Sequence, residues 1–236
     1  MLGTTKQIAL RLCAPLLFAV VAIASSVVVV DVVHARRMAE IEAAKDPYAR
    51  YEQEDYVLSP YDDLFRSIAA EYRLDWRLLS AMASVESRFN RNAVSPVGAV
   101  GLMQVMPFIG AAYGYERDEL LNPEINIRVA AELVRSIYRM LNLPREIDKE
   151  ERLSFMLACY NAGYSRIADA RALTEYYGDD PLSWAAVKEY LSLLSDPEFY
   201  EHEVVDNGRF TGSDETTNYV RKVKHRYAHY CRRAAI

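Results

Sequence analysis

Glu86 is the residue of this chain best placed to do chemistry, because its neighbours are unsuited to hold a charge. Asp75 can cap a helix through "WRLLSAMASVESRF". At about 100° per residue, Trp76, Leu79, Met82, Ala83 and Phe89 then fall on one apolar stripe. Glu86 falls near the centre of that stripe. Ionised carboxylates are rarely buried without a partner. The residue is therefore half of a core ion pair, or turned outward by a rotated helix, or an acid whose pKa is raised by apolar surroundings. A general acid working near neutral pH needs the third arrangement.

Three stretches downstream carry further polar groups at helix ends. After Glu86 and Ser87 the chain enters a loop with Ser95, Pro96, Gly98 and Gly101, then "LMQVMP". Glycines there allow positive φ and close backbone approach. "ACYNAGYSRI" follows at 158–167, where Gly163 separates two helices, and "SDETTNYV" stands at 213–220.

Glu86-Ser87, "SPVGAVGLMQVMP", "CYNAG" and "ETTNYV", in this order and at these spacings, resemble the soluble-lytic-transglycosylase-like (SLT) domain. These are the lysozyme-like lytic transglycosylases of bacterial cell walls. The likeness covers roughly residues 62–233. It implies an all-α, lysozyme-like domain with a substrate groove that cleaves the glycan strands of peptidoglycan. No metal or organic cofactor is called for. On the same resemblance Glu86 matches the family's single catalytic acid. Ser95, Gln104 and Met106 match groups lining the groove, and Tyr160 and Asn161 match the pair of its third block. Glu215 and Tyr219 match its last block, and Tyr138, in "RSIYRML", matches a groove tyrosine. Cys159 departs from the family, which usually has a small alanine before that tyrosine.

A glycosidase normally uses two carboxylates. A lytic transglycosylase, as the resemblance implies, needs one. The acid protonates the oxygen between N-acetylmuramic acid and N-acetylglucosamine, and the substrate's own N-acetyl group stabilises the positive charge. The carboxylate then takes the proton of the muramoyl C6 hydroxyl, which closes a 1,6-anhydro ring without consuming water. Met82, Phe89 and Met106 are the expected source of desolvation for Glu86.

The elements that must position these groups are helical almost throughout. Periodicity and punctuation predict helices near 61–73, 75–90, 102–113, 123–142, 149–161, 163–177, 181–194 and 215–233. Strand-like alternation is nearly absent. Residues 61–236 read as one catalytic domain, and 36–60, acidic with Pro47 and Pro60, as a spacer. Leu12 to Val30 is an uncharged run of nineteen residues, close to the ~20 that span a bilayer. Residues 1–35 are thus a membrane anchor or a cleaved export signal, with "VHA" at 33–35 as a tolerable cleavage site. Positive charge on the two sides is balanced, so orientation stays open. Cys13 begins the run rather than following it, which does not suit a lipid-modified cysteine.

The expected location is the periplasmic side of the bacterial envelope. The membrane, through the N-terminal segment, and peptidoglycan are the partners, and an envelope machine is compatible. A net charge of −5 gives no global basic character, so nucleic acid is not expected. Cys159 and Cys231 are a disulfide or two buried thiols. His34, His202, His225 and His229 are poorly spaced for a metal site. Two other readings stand beside the transglycosylase. A goose-type lysozyme would hydrolyse the same bond through a second carboxylate, with Asp206, Asp214 and Glu116 as candidates. A tethered wall-binding module would grip glycan without cleaving it.

Overall fold

The computed structural model describes residues 58–234, with side chains as far as Arg232. The anchor or signal expected over 1–35 and nearly all of the spacer lie outside these residues. Among the described residues no helix is long and apolar enough to cross a membrane. The elements are α1 (Asp62–Tyr72), α2 (Trp76–Glu86), α3 (Pro107–Ala112), a 3-10 turn (Glu119–Leu121), α4 (Pro123–Leu141), α5 (Lys149–Ala162), α6 (Tyr164–Tyr176), α7 (Trp184–Leu193), α8 (Pro197–Tyr200) and α9 (Ser213–Ala234). Strand-like pairing among the described residues is limited to isolated bridges from Val100 to Val94 and Val105. The fold is all-α.

The amphipathic stripe expected on α2 is only part of its buried surface. Trp76, Leu79, Met82 and Ala83 are buried as expected, but so are Arg77, Leu78, Ser80 and Ala81. The helix lies between α1 on one side and α9 on another, so it is covered nearly all round. Its start is fixed where the sequence placed it. Asp75 accepts the Arg77 backbone N–H at 2.9 Å, pairs with the buried Arg77 guanidinium at 3.1 Å, and accepts the Tyr227 hydroxyl of α9 at 2.6 Å. One carboxylate therefore caps α2 and ties it to the last helix.

Three predicted helices are longer than the real ones. The helix expected over 75–90 stops at Glu86, because Ser87 donates its backbone N–H to Ala83 and its hydroxyl to the Leu102 carbonyl at 2.8 Å. Arg88 and Phe89 then take left-handed φ values of 55° and 63°. Phe89 lies beyond the helix and meets Phe65 edge-on at 6.4 Å. The helix expected over 102–113 begins only at Pro107, after a tight turn in which Gln104 has φ 49°. The one expected over 181–194 starts at Trp184, where the Ser183 hydroxyl accepts the Ala186 N–H. The 3-10 turn and α8 were not anticipated.

The turn before α3 hangs on one buried side chain. Asn126, with 0% exposure on the inner face of α4, accepts the Met103 N–H at 2.7 Å. Its amide nitrogen donates to the carbonyls of Val100 and Leu120 at 2.9 and 2.8 Å. Gly101 passes so close that a Cβ would stand 2.5 Å from the Asn126 amide nitrogen, and its φ is +81°. Only glycine fits there. Asn126→Ala would take their side-chain partner from the Met103 N–H and the Leu120 carbonyl, while the Val100 carbonyl keeps the Val105 N–H, and should destabilise the fold by about 2 kcal/mol or more. Denaturant unfolding measures the loss, and hydrogen exchange at the Met103 amide should accelerate with it. Unchanged exchange would mean that the turn holds without Asn126.

Candidate functional site

Glu86 is the last residue of α2, where the chain turns away through Ser87. Its carboxyl is largely withdrawn from water, and desolvation pushes its pKa up to about 7. Hydrogen bonding from the Tyr219 hydroxyl pulls the other way, and the negative charge of Glu215 adds a smaller upward push. Glu86 also stands at the carboxyl end of a helix, whose dipole disfavours a further negative charge. It has no cationic partner in an ion pair (among the described residues). The core ion pair left open by the sequence is therefore not the arrangement found.

Two tyrosines wall the carboxyl. Tyr160, near the end of α5, donates its hydroxyl to the Met103 carbonyl at 2.8 Å. Its ring lies parallel to that of Tyr219 on α9, 7° apart with centroids at 6.4 Å. Burial and the Glu86 charge hold both phenols well above their ordinary pKa, so both stay protonated. The Tyr219 hydroxyl is buried and forms no well-aligned hydrogen bond of its own. It interacts with the Glu86 carboxyl, to which a phenol can donate. Asn126, Met103, Tyr160, Tyr219 and Glu86 thus form a continuous line from the core to the acid.

Asn161 is set beside Tyr160 by α9. The buried Thr216 hydroxyl lies 2.8 Å from Asn161 Oδ1 and 2.9 Å from the Gly212 carbonyl. Tyr160, Asn161, Gln104 and Met106 then form one side of a cavity of about 330 Å³. The opposite wall, from α3 and α4, is apolar and includes Phe108, Ile109, Leu133, Ile137 and Met140. Cys159 also faces this space, and burial pushes its thiol up to about 12, so it is protonated and unreactive. Cys159 and Cys231 are not bonded to each other.

The remaining expected site residues sit differently. Gln104 spends its amide on the loop, donating to the carbonyls of Gly101 at 2.9 Å and Ala93 at 3.2 Å. Ser95 closes a turn, its hydroxyl accepting the Ala99 N–H at 3.0 Å. Tyr138 is half-buried on α4, where Leu133, Ile137 and Met140 provide that helix's share of the cavity wall. Glu215 is exposed in the first turn of α9 and reaches Glu86 through its field. Asp206, Asp214 and Glu116 are all exposed. No group of three His, Cys, Asp or Glu among the described residues is placed to hold a metal ion.

Sequence reasoning passed over Asn126, Thr216 and the Ser87 hydroxyl, which hold the site together. A signal for Asn126 existed. It interrupts "PEINIRVAAEL" between two isoleucines, as Glu86 interrupts its own stripe. Thr216 carried no such mark, because a threonine in a first helical turn is ordinary.

The family model of the transglycosylase SLT domain matches residues 63–182, which span α1 to the approach to α7. The membrane-bound lytic murein transglycosylase F of Vibrio campbellii is 35% identical over 173 residues, 73% of this chain and 31% of the relative. The same-named protein of Aliivibrio fischeri is 36% identical over 170 residues, 72% of this chain and 32% of its own length. Among solved structures, the 70 kDa soluble lytic transglycosylase of Escherichia coli superposes with a TM-score of 0.53 at 26% identity. That match covers 72% of this chain and 24% of the other. The chain thus spans about a third of the length of the curated relatives it matches. With helices, cavity and glutamate arranged as described, this chain belongs to the transglycosylase SLT domain family.

Proposed function

We propose that this chain is a peptidoglycan lytic transglycosylase with Glu86 as its only acid and base. The observation that carries the reading is a carboxyl whose burial raises its pKa to about 7, held without a cation in the field of two protonated tyrosines, of which Tyr160 also lines the cavity. At neutral pH such a group is half protonated, so it can give a proton and take one back. It gives its proton to the oxygen joining N-acetylmuramic acid to N-acetylglucosamine, and the C1–O bond breaks. The N-acetylglucosamine end leaves as an alcohol. The Glu86 carboxylate, steadied by the Tyr219 hydroxyl, removes the C6 hydroxyl proton. The C6 oxygen bonds C1, a 1,6-anhydro ring closes, and the acid is restored with no water used.

The cavity suits the sugar next to that bond. Asn161 and Tyr160 offer polar atoms for an N-acetyl group or hydroxyls, while Met106 and Ile109 offer an apolar face. Ser95, Tyr138 and Glu215 are proposed to act at the edges of this groove, Glu215 through its charge. The relatives' names include membrane-bound murein transglycosylases. With the apolar run at 12–30, they support an anchored enzyme on the periplasmic side of the envelope.

The test is mass spectrometry of products from purified peptidoglycan. Wild type should release ends in 1,6-anhydromuramic acid, and Glu86→Gln should slow release by about 10²–10⁴-fold, the usual worth of a general acid. Reducing ends would mean hydrolysis and a lysozyme. Glycan binding without any cleavage by folded wild type would mean a binding module.

The pH dependence separates the influences on Glu86. The protonated acid is required, so kcat should fall as pH rises through about 7. Tyr219 lowers this pKa, so Tyr219→Phe should move the falling limb to higher pH. Glu215 raises it, so Glu215→Gln should move the limb to lower pH. Limbs that stay in place in both variants would show that another group controls the rate.

A further inference from the structure

Besides Glu86, the carboxylates of Asp62, Asp75 and Asp169 are buried among the described residues. Asp62 accepts the Ser59 N–H just ahead of α1, and Asp75 caps α2. Each serves the start of its own helix. Asp169 does not. It sits in the middle of α6, only 3% exposed, and its hydrogen bonds go to the loop between α8 and α9. It accepts the Asp206 N–H at 3.1 Å, the Asn207 N–H at 3.2 Å and the Asn207 side-chain amide at 3.0 Å. A buried carboxylate is costly unless donors such as these meet its charge.

Arg166, three residues earlier and so on the same face of α6, holds the other side of that loop. Its guanidinium donates to the carbonyls of Asn207 and Gly208, the latter at 3.0 Å, and lies 5.8 Å from the Phe210 ring. Asp169 thus takes the N–H groups of residues 206 and 207, and Arg166 takes the carbonyls of 207 and 208. Phe210 adds a further fixing point by donating its N–H to the Leu194 carbonyl at 2.8 Å. The side chains from 201 to 212 are all exposed or half-buried, so packing alone does not set the path of this loop.

The loop leads straight into the first turn of α9. At its end the Gly212 carbonyl accepts the Thr216 N–H at 3.0 Å, and Thr216 reaches Asn161 on the cavity wall. Only the break at Gly163 separates Asn161 from the helix that carries Arg166 and Asp169. The connections therefore close a ring. They run along the chain from Asn161 to Asp169, across to residues 206–208, on to Thr216, and back to Asn161. Tyr219, three residues after Thr216, shares its side of α9 and meets Glu86. Asp75 pins the far half of the same helix through Tyr227.

We propose that Asp169, together with Arg166, is the positioning residue for the first turns of α9, holding residues 206–208 so that Thr216 meets Asn161 and Tyr219 meets Glu86. The proposal rests on the reading of Glu86 as the acid. Neither Asp169 nor Arg166 lines the cavity, so their effect passes through α9. Without them the freedom of the loop enters the first turn of that helix. A displacement of about 1 Å at a catalytic group can cost about 10²-fold in rate.

The test uses the full chain with Asp169→Ala, which removes every acceptor, and Asp169→Asn, which keeps one acceptor oxygen. The Glu86 carboxyl is titrated by carbon-13 NMR, and kcat is measured on purified peptidoglycan. The Tyr219 hydrogen bond, which lowers the Glu86 pKa, outweighs the Glu215 charge, which raises it. Loss of register should therefore move the midpoint upward. Asp169→Ala should titrate above wild type and lose about tenfold in kcat, and Asp169→Asn should recover part of both. If the alanine variant does not fold, Asn207→Ala at an exposed position removes the side-chain bond alone. It should shift the midpoint the same way by less. A folded variant with the wild-type midpoint and kcat would overturn the proposal. So would a lowered melting temperature with both unchanged, since Asp169 would then serve stability alone. The midpoint does not depend on the product formed, so it decides the role of Asp169 even if wild type releases reducing ends and the transglycosylase reading falls.

Discussion

Everything in this domain is arranged around the cost of keeping one carboxyl out of water. Glu86 stands where α2 ends, so the dipole of its own helix opposes its ionisation. Desolvation is the main cause of its raised pKa, and no cation among the described residues forms an ion pair with it. Between the ordinary value of 4.5 and about 7 the folded protein binds a proton there that the unfolded chain has released. Stability therefore falls as pH rises through that window and stays reduced above it. The loss is at most about 3 kcal/mol, less whatever the open edge of the residue screens. A fold of ordinary stability can carry that cost. The same strain gives the carboxyl a proton to donate.

Holding such a group still requires that both ends of α2 be fixed. Asp75 joins the start of α2 to Tyr227 of α9, and Glu86 at the other end of α2 meets Tyr219 of the same helix. Between them α9 and α2 lie side by side. The first turn of α9 reaches Asn161 through Thr216. The loop carrying Met103 is fixed from below by Asn126 and from above by Tyr160. The polar residues of the site are thus mostly occupied in holding one another. This explains why Gln104 and Ser95, which lie along the loop, spend their side-chain hydrogen bonds on backbone even though Gln104 also borders the cavity.

The helical class and the position of Glu86 were legible because they depend on periodicity and on one rule, that a carboxylate does not belong in an apolar stripe. The ends of α1, α4, α5, α6 and α9 were legible to within two residues for a similar reason. Caps and breakers such as Asn122, Asp148 and Gly163 act locally. What was not legible depends on distant partners. Nothing near Glu86 in the chain says that Ser87 will bond Leu102 or that Phe89 will reach Phe65, so the helix was expected to run on. Nothing near Gln104 announces a left-handed turn held by Asn126. Asp169 was likewise passed over, because the loop it holds begins its contacts 37 residues further along the chain.

The central claim is that Glu86 is kept protonated by its surroundings, and a titration of its side-chain carboxyl by carbon-13 NMR tests it most directly. Assignment by loss of the signal in Glu86→Gln makes the measurement specific to this residue. A midpoint near 7 is the predicted result. A midpoint near 4.5, the ordinary value, would mean that the carboxyl is ionised in the resting protein and that the account of it as the acid is wrong.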